Sequence, residues 1–251
     1  MKFLITRPDN DTQTLSAYLQ AKGHSFLLAP MLSIENLPEA NLPNDIPTAI
    51  AFTSANGVRA LTSKMTSMSD RDTVAICDCR VFTVGPATAL AATQAGWNRV
   101  NAADGSVASL AEIMAGQLIS PEPSSNRNSA SVWHIAGRVQ AGNLSAELTA
   151  RGVQAQRVVL YDARPIDGLP NPAKQALEKS EINAVLLYSL RSAEQYLKLT
   201  APLLPTQRAK ITALCLSEKI GELMQGEHYR VRVSAATHEA AMYELIDRFC
   251  D

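Results

Sequence analysis

The stretch SVWHIAGRVQAGNLSAELTARGVQAQRVVLY, Ser131 to Tyr161, holds one complete structural unit. An apolar run, SVWHI, leads through Ala136-Gly137-Arg138 into a helical pattern that closes on Arg151-Gly152. A second apolar run, QRVVLY, follows. Short apolar runs on either side of a helix-length pattern read as strand, helix, strand, the crossover unit of a parallel sheet. The helical part is written twice in the chain: LSAELTARG (Leu144–Gly152) nearly repeats LSAYLQAKG (Leu15–Gly23), which is likewise preceded by a strand pattern, KFLI, and followed by another, FLLAP.

Outward from these two copies the same texture continues. TAIAF (Thr48–Phe52) leads through TSANG into a helix near Val58–Met65, and RVFTV (Arg80–Val84) through Gly85-Pro86 into Ala87–Ala95. NAVLLY, ITALCL and YRVRV, each followed by a Ser- or Thr-led helical pattern, complete the chain. Strands alternating with helices predict an α/β fold with parallel sheets flanked by helices. The internal similarity also extends. AIAFTSANGVRAL (Ala49–Leu61) resembles AVLLYSLRSAEQYL (Ala184–Leu197), and FTVGPATAL falls opposite ALCLSEKIG. GSVASLAEI falls opposite ATHEAAMYELI, in the same order and at nearly constant spacing. Two similar domains are expected. Three stretches without periodicity, Asn36–Pro47, Pro121–Ser129 and Ala163–Pro172, are the candidate linkers or long loops, and a simple division near Pro121 is also open.

A chain of 251 residues, 46% apolar and 19% charged, has material for two buried cores and excludes extensive disorder. Its net charge of −1 gives no overall attraction to nucleic acid or to an anionic membrane. No signal-peptide pattern and no membrane-length apolar run is seen, so a cytoplasmic protein is expected. Cys77, Cys79, Cys215 and Cys250 are too few and too irregular for a disulfide framework. Cys77 and Cys79 form a lone C-x-C without a second pair, and the four histidines have no metal-ligand spacing, so no metal is expected. His24 and His134, at or inside strands, read as structural.

In open parallel α/β sheets, ligands bind beyond the carboxyl ends of the strands. Those places hold Arg7-Pro8, Thr53-Ser54-Ala55-Asn56, Gly85-Pro86, Gly105-Ser106, Gly137-Arg138, Ser189-Leu190-Arg191-Ser192, Ser217 and Thr237. Helix starts of this kind bind anions through free backbone N–H groups and the helix dipole. Each Ser, Thr or Gly is equally at home there as a plain N-cap. No G-x-G-x-x-G follows the first strand, no G-x-x-x-x-G-K-[ST] is present, and TSANG lacks the G-x-S-x-G elbow. A site free of metal and cofactor is the economical expectation. A two-lobed binding protein and a Rossmann-like enzyme acting on a phosphorylated substrate are the competing readings.

ITRP, AFTSANGVRAL, FTVGPATALAATQAGW, DGSVASLAEI, IAGRVQAGNLSAELTARGVQAQRVVLYDARP and ITALCLSEKI together resemble the uroporphyrinogen-III synthase family, in the family's order and over essentially the whole chain. The resemblance implies two α/β domains with the active site in the cleft between them, formed by residues 1–32 with 167–251 and by residues 40–157. Linker strands are then expected at 33–39 and 158–166. It implies a cofactor-free lyase that closes the linear tetrapyrrole hydroxymethylbilane, with loss of water and inversion of ring D. The substrate's eight carboxylates call for basic side chains and helix N-termini. Arg7, Ser54, Ala55, Asn56, Gly85, Pro86, Ser106, Gly137, Arg138, Ser189, Arg191 and Ser217 are the candidate binding residues, with Arg59 a further arginine candidate. Tyr161 is the candidate proton donor. A monomer is expected, with at most a transient contact to the enzyme that supplies the substrate. Two departures from the family's pattern stand out: Leu216-Ser217 in place of a glycine-led turn, and His134-Ile135-Ala136 before Gly137, where an arginine is often found.

Overall fold

A computed structural model describes residues 1–8, 12–119, 131–140 and 142–251. The candidate loop Pro121–Ser129 therefore lies outside the described residues. The chain opens with β1 (Lys2–Ile5), α1 (Gln13–Ala21) and β2 (Ser25–Leu28). It continues through β3 (Leu32–Asn36), β4 (Ala49–Phe52), α2 (Ala55–Met65), α3 (Asp70–Cys77), β5 (Arg80–Thr83), α4 (Pro86–Gln94), β6 (Val100–Ala102), α5 (Val107–Leu118), β7 (Ser131–Gly137), α6 (Leu144–Ala150) and β8 (Gln154–Pro165). It ends with α7 (Asn171–Glu178), β9 (Ala184–Leu187), α8 (Leu190–Leu199), α9 (Pro205–Arg208), β10 (Thr212–Cys215), α10 (Glu218–Gln225), β11 (Arg230–Val233) and α11 (Glu239–Cys250). The stretch Ala163–Pro172, expected as a loop, contributes its first residues to β8 and its last to α7.

Two compact units result: residues 1–33 with 164–251, and residues 34–163. The first holds a sheet of order β11-β10-β9-β1-β2, with every neighbouring pair parallel. In chain order this is the doubly wound arrangement 2-1-3-4-5, whose topological switch point falls between β1 and β9. The second sheet runs β3-β8-β7-β4-β5-β6. Its strands from β8 to β6 are parallel and repeat the same spatial order, with β7 and β8 in the places of β1 and β2. Its switch point falls between β7 and β4. β3 closes the edge beside β8, where the Leu37 amide donates to the Leu160 carbonyl at 2.8 Å.

Helices cover both faces of each sheet, so the strands read as near-continuous apolar runs. In the first unit Phe3 and Ile5 pack with Leu15, Leu19, Met242 and Leu245 on one face, while Leu4, Val185 and Leu187 pack with Ala193, Tyr196 and Ile220 on the other. In the second, Ile50 and Phe52 meet Val58, Leu61 and Trp97, and Ala49 and Ala51 meet Leu110, Leu144 and Leu148.

The twice-written nine residues form α1 and α6 with the same ending. Gly23 and Gly152 both have left-handed φ, +74° and +83°. The amides of His24 and Val153 reach back five residues to the carbonyls of Leu19 and Leu148, each at 2.9–3.0 Å. These are Schellman closures, which need a glycine in the left-handed position. Leu15, Leu19, Leu144 and Leu148 are fully buried. The repeat is scaffold that sets two related sheets.

Candidate functional site

Because all strands of the first sheet, and β8 to β6 of the second, are parallel, their carboxyl ends share one edge in each sheet, and the candidate residues gather there in two sets. In the second unit the set comprises Thr53–Asn56 after β4, Gly85-Pro86 after β5, Gly105-Ser106 after β6, Gly137-Arg138 at the end of β7, and Tyr161 on β8. In the first unit it comprises Arg7 after β1, Ser189–Ser192 after β9, Ser217 after β10 and the start of α11 after β11.

The hydroxyl residues act as caps. Ser54 accepts from the Asn56 amide, Ser106 from the Ser109 amide and Ser189 from the Ser192 amide, each at 3.1 Å. Ser217 occupies the N-cap of α10 without a side-chain capping bond, and Gly85 occupies that of α4 with Pro86 in the first turn. The cap of α11 is His238, whose Nδ1 accepts from the Ala241 amide at 3.2 Å, rather than the neighbouring Thr237. Gly85 and Gly105 bring two strand ends together: a Cβ on Gly85 would lie 3.7 Å from the Gly105 Cα. The Gly105 amide donates to Val84 at 2.7 Å, with Gly105 at φ +107°.

Around Tyr161 the strand pairing is irregular. Ala136 pairs with Val159 but Gly137 pairs with Tyr161, so β8 carries an extra residue at Leu160. Such a bulge breaks the alternation of faces and re-aims the next side chain. Leu160 and Tyr161 accordingly join the same core with Val158, and Tyr161 is 8% exposed. Its ring lies against Gly137, where an added Cβ would meet Cε2 at 2.8 Å and Cζ at 2.9 Å.

Arg138 follows directly. Its amide donates to the Tyr161 carbonyl at 2.9 Å, and its Nε to Asp162 Oδ2 at 3.2 Å. Arg157 on β8 donates to the carbonyls of Gly137 and Arg138 at 2.7 and 2.8 Å, which holds this turn from below. Asn56 is buried and its Oδ1 accepts from Arg59 at 2.5 Å, so that arginine is tied to its own helix. His134, fully buried in β7, contacts Thr53 Oγ1 at 3.4 Å and Ser145 Oγ at 3.2 Å. Burial, and next the positive charge of Arg157, lower its pKa to about 4. It is a neutral structural histidine that ties the end of β4 to α6.

In the first unit, Thr6 Oγ1 donates to the Leu186 carbonyl at 2.6 Å and locks the switch point. Arg7 then stacks on the Tyr188 ring, 4.6 Å from the centroid, and pairs with Glu239 at 2.8 Å. Arg191 stands half-buried in the first turn of α8. Tyr188, Glu239, Tyr243, Arg157 and Asp162 escape sequence reading. The available signal is an aromatic or a charge beside a strand end, which is common in any α/β protein.

Two cavities, of about 220 and 370 Å³, lie elsewhere. One is lined by Ser63 and Lys64 at the end of α2, the other by Ser131 and Gln154 at the starts of β7 and β8. The second sits at the amino edge of the sheet, opposite the edge where such folds bind ligands, and the first lies along α2 against Leu37 and Leu160. Among the described residues no group of three or more His, Cys, Asp or Glu is placed to hold a metal ion, and no helix is long and apolar enough to cross a membrane. The four cysteines are free. Cys79 is buried, with its Sγ donating to the Pro47 carbonyl, and burial raises its pKa to about 11.

A family model described as uroporphyrinogen-III synthase HemD matches residues 13–244. The chain belongs to the uroporphyrinogen-III synthase family. Membership makes the chain an enzyme of tetrapyrrole biosynthesis. Two solved uroporphyrinogen-III synthases share its fold. The uroporphyrinogen-III synthetase of Helicobacter pylori 26695 superposes with a TM-score of 0.69 at 14% identity, covering 99% of this chain and 99% of that one. A mutant uroporphyrinogen III synthase of the extremely thermophilic bacterium Thermus thermophilus superposes with a TM-score of 0.53 at 15% identity, covering 99% of this chain and 98% of that one. At these identities the likeness is one of fold. No curated protein matches the chain.

Proposed function

We propose that the chain closes hydroxymethylbilane to uroporphyrinogen III, with Tyr161 as the proton donor and the two sets of strand ends as carboxylate binders. The observation that carries this reading is the bulge in β8, which sets the Tyr161 ring on Gly137 and beside Arg138 at the switch point of its sheet. A phenol has an ordinary pKa of about 10 and is protonated at neutral pH, which suits an acid that assists departure of hydroxide. The pyrrole electrons expel the hydroxyl, which leaves with the phenolic proton as water. The electrophilic azafulvene methylene on ring A so formed is attacked by the substituted α-carbon of ring D, giving a spiro intermediate. The bond from that carbon to the ring C methylene then breaks, and the methylene bonds to the other α-carbon of ring D. The proton lost from this second α-carbon restores the pyrrole and returns to the Tyr161 phenolate.

The protein's part is mainly geometric. Open-chain substrate also closes without inversion, so the enzyme must hold the reacting carbons in the arrangement that gives the type III isomer. Orientation of this kind supplies up to about 7–11 kcal/mol in well-placed systems. Arg7, Arg138 and Arg191 meet substrate carboxylates as charge-assisted donors, roughly twice as strong as neutral ones. Ser54, Ala55, Gly85, Ser106, Ser189 and Ser217 offer backbone amides of helix starts, and Asn56 offers its side-chain amide. Pro86, which has no N–H, and Gly137, at the end of β7, let the substrate approach the backbone closely. Exposed Val139 beside Arg138, and exposed Leu190 beside Arg191, give apolar surface next to a cation, which fits pyrrole rings edged by carboxylates. The reaction needs no metal or cofactor in this reading. Segments 33–39 and 158–166 connect the two lobes, and the protein acts as a cytoplasmic monomer with at most transient contact to the enzyme that makes its substrate.

The deciding experiment supplies freshly made hydroxymethylbilane to the purified protein without additions and separates the oxidised products by chromatography. The type III isomer is expected; type I alone overturns the reading.

A further inference from the structure

Arg7 does not stand free at its strand end. Its NH1 donates to Glu239 Oε1 at 2.8 Å, and its guanidinium is supported from the other side by the Tyr188 ring. The Tyr188 hydroxyl is buried, and the tyrosine offers Arg7 its ring face. The same Glu239 oxygen accepts from the Tyr243 hydroxyl at 3.0 Å. Burial, and then the adjacent Glu239 carboxylate, push the Tyr243 phenol well above the ordinary tyrosine range, so it remains a donor. Tyr243 is in turn held by stacking on Tyr18, whose hydroxyl donates to Asp247.

This arrangement stays sound when Arg7 leaves its partner. Glu239 is the first residue of α11, where the helix dipole favours a carboxylate, and Tyr243 continues to donate to it. Its side chain is 32% exposed, so water completes its solvation. Arg7 keeps its place on Tyr188 with either partner, and a guanidinium has five N–H donors, of which the bond to Glu239 engages one. Neither charge is orphaned by an exchange, the condition under which breaking an ion pair is cheap.

We propose that Glu239 is an internal stand-in for a substrate carboxylate: it holds the Arg7 guanidinium on Tyr188 in the free enzyme and is displaced by a carboxylate of the tetrapyrrole on binding. Glu239 is a positioning residue, and Tyr243 is the group that receives it on release. The inference rests on the reading of Arg7 as a carboxylate binder in the proposed function.

The test is calorimetric titration of the whole protein with uroporphyrinogen III under reducing conditions, alongside steady-state kinetics and circular dichroism. Glu239→Gln removes the competing charge, and is expected to tighten product binding and lower KM about two- to fivefold, the worth of a partly exposed ion pair. Tyr243→Phe removes the donor that stabilises the displaced carboxylate and is expected to weaken binding. Opposite signs for two residues of one cluster are not what loss of packing gives. In an Arg7→Ala background the effect of Glu239→Gln is expected to vanish. Weaker binding in Glu239→Gln, no change, or an equal effect with and without Arg7 overturns the proposal, and if Glu239→Gln does not fold, strengthened binding in Tyr243→Phe does so. Formation of the type III isomer by unaltered protein with no effect of Glu239→Gln sinks the stand-in alone; binding with only type I product sinks the proposed reaction and leaves the stand-in intact.

Discussion

The Tyr161 ring occupies the volume that a β-carbon on Gly137 would take, with Cε2 only 2.8 Å from that position. The pair is set by the extra residue at Leu160, which brings Gly137 opposite Tyr161 in the ladder. Glycine is required here by the closeness of an aromatic ring. Gly137→Ala must push the phenol away or open the strand pair, at a cost of about 1–3 kcal/mol typical of overpacking. A lower Tm together with at least a tenfold fall in kcat is expected, since small misplacements of a reacting group are costly. Thermal denaturation and single-turnover kinetics check both.

Tyr161→Phe keeps the ring on Gly137 and removes only the hydroxyl. Folding is expected to be retained and kcat to fall by about tenfold or more, within the lower range of general-acid effects. Unchanged kinetics in a folded variant would reduce Tyr161 to a packing residue.

Arg138 has a side chain 59% exposed and pairs with Asp162, which is 12% exposed. An exposed cation that meets a carboxylate of the ligand is screened by salt. Arg138→Ala is expected to weaken product binding about tenfold at low ionic strength, the scale of one charge-assisted bond, and less at high. Titrations at two salt concentrations would show it, and an unchanged Kd at both would remove Arg138 from the site.

The fold was legible because a parallel sheet covered on both faces writes its strands as short apolar runs, and because the repeated helix ends marked two equivalent units. α3 was not foreseen: in DRDTVAIC only Ile76 is buried, and one buried position makes no period. At the site, strand-end glycines, hydroxyls and arginines were visible as types. Their partners were not. Glu239 lies 232 positions from Arg7, and nothing local to either announces the pair. The β8 bulge is equally silent, since VVLY reads as an uninterrupted strand.

His134 supplies a pH dependence of stability. Its folded pKa of about 4 lies below the ordinary 6.5, because burial and Arg157 disfavour the charged form. The unfolded chain therefore binds the proton first, and stability, fully present above pH ~6.5, falls as pH drops through the interval to about 4. The whole effect is of order 3 kcal/mol. Denaturant unfolding between these limits should show this slope, and His134→Asn should flatten it; an unchanged slope would place the proton uptake on other groups.

The two repeated helices offer a matched comparison. Leu19 and Leu148 are both fully buried, hold equivalent places in the two sheets and end their helices with the same five-residue closure. Truncation to alanine removes similar apolar volume from each unit and should cost about 2–5 kcal/mol in either. Leu19→Ala should weaken the amide protection of β1, β9 and β10, and Leu148→Ala that of β7, β4 and β5, because each leucine packs on one sheet only. Hydrogen exchange read strand by strand checks this. Uniform loss of protection across both sheets, from either substitution, would show instead that the two units unfold as one.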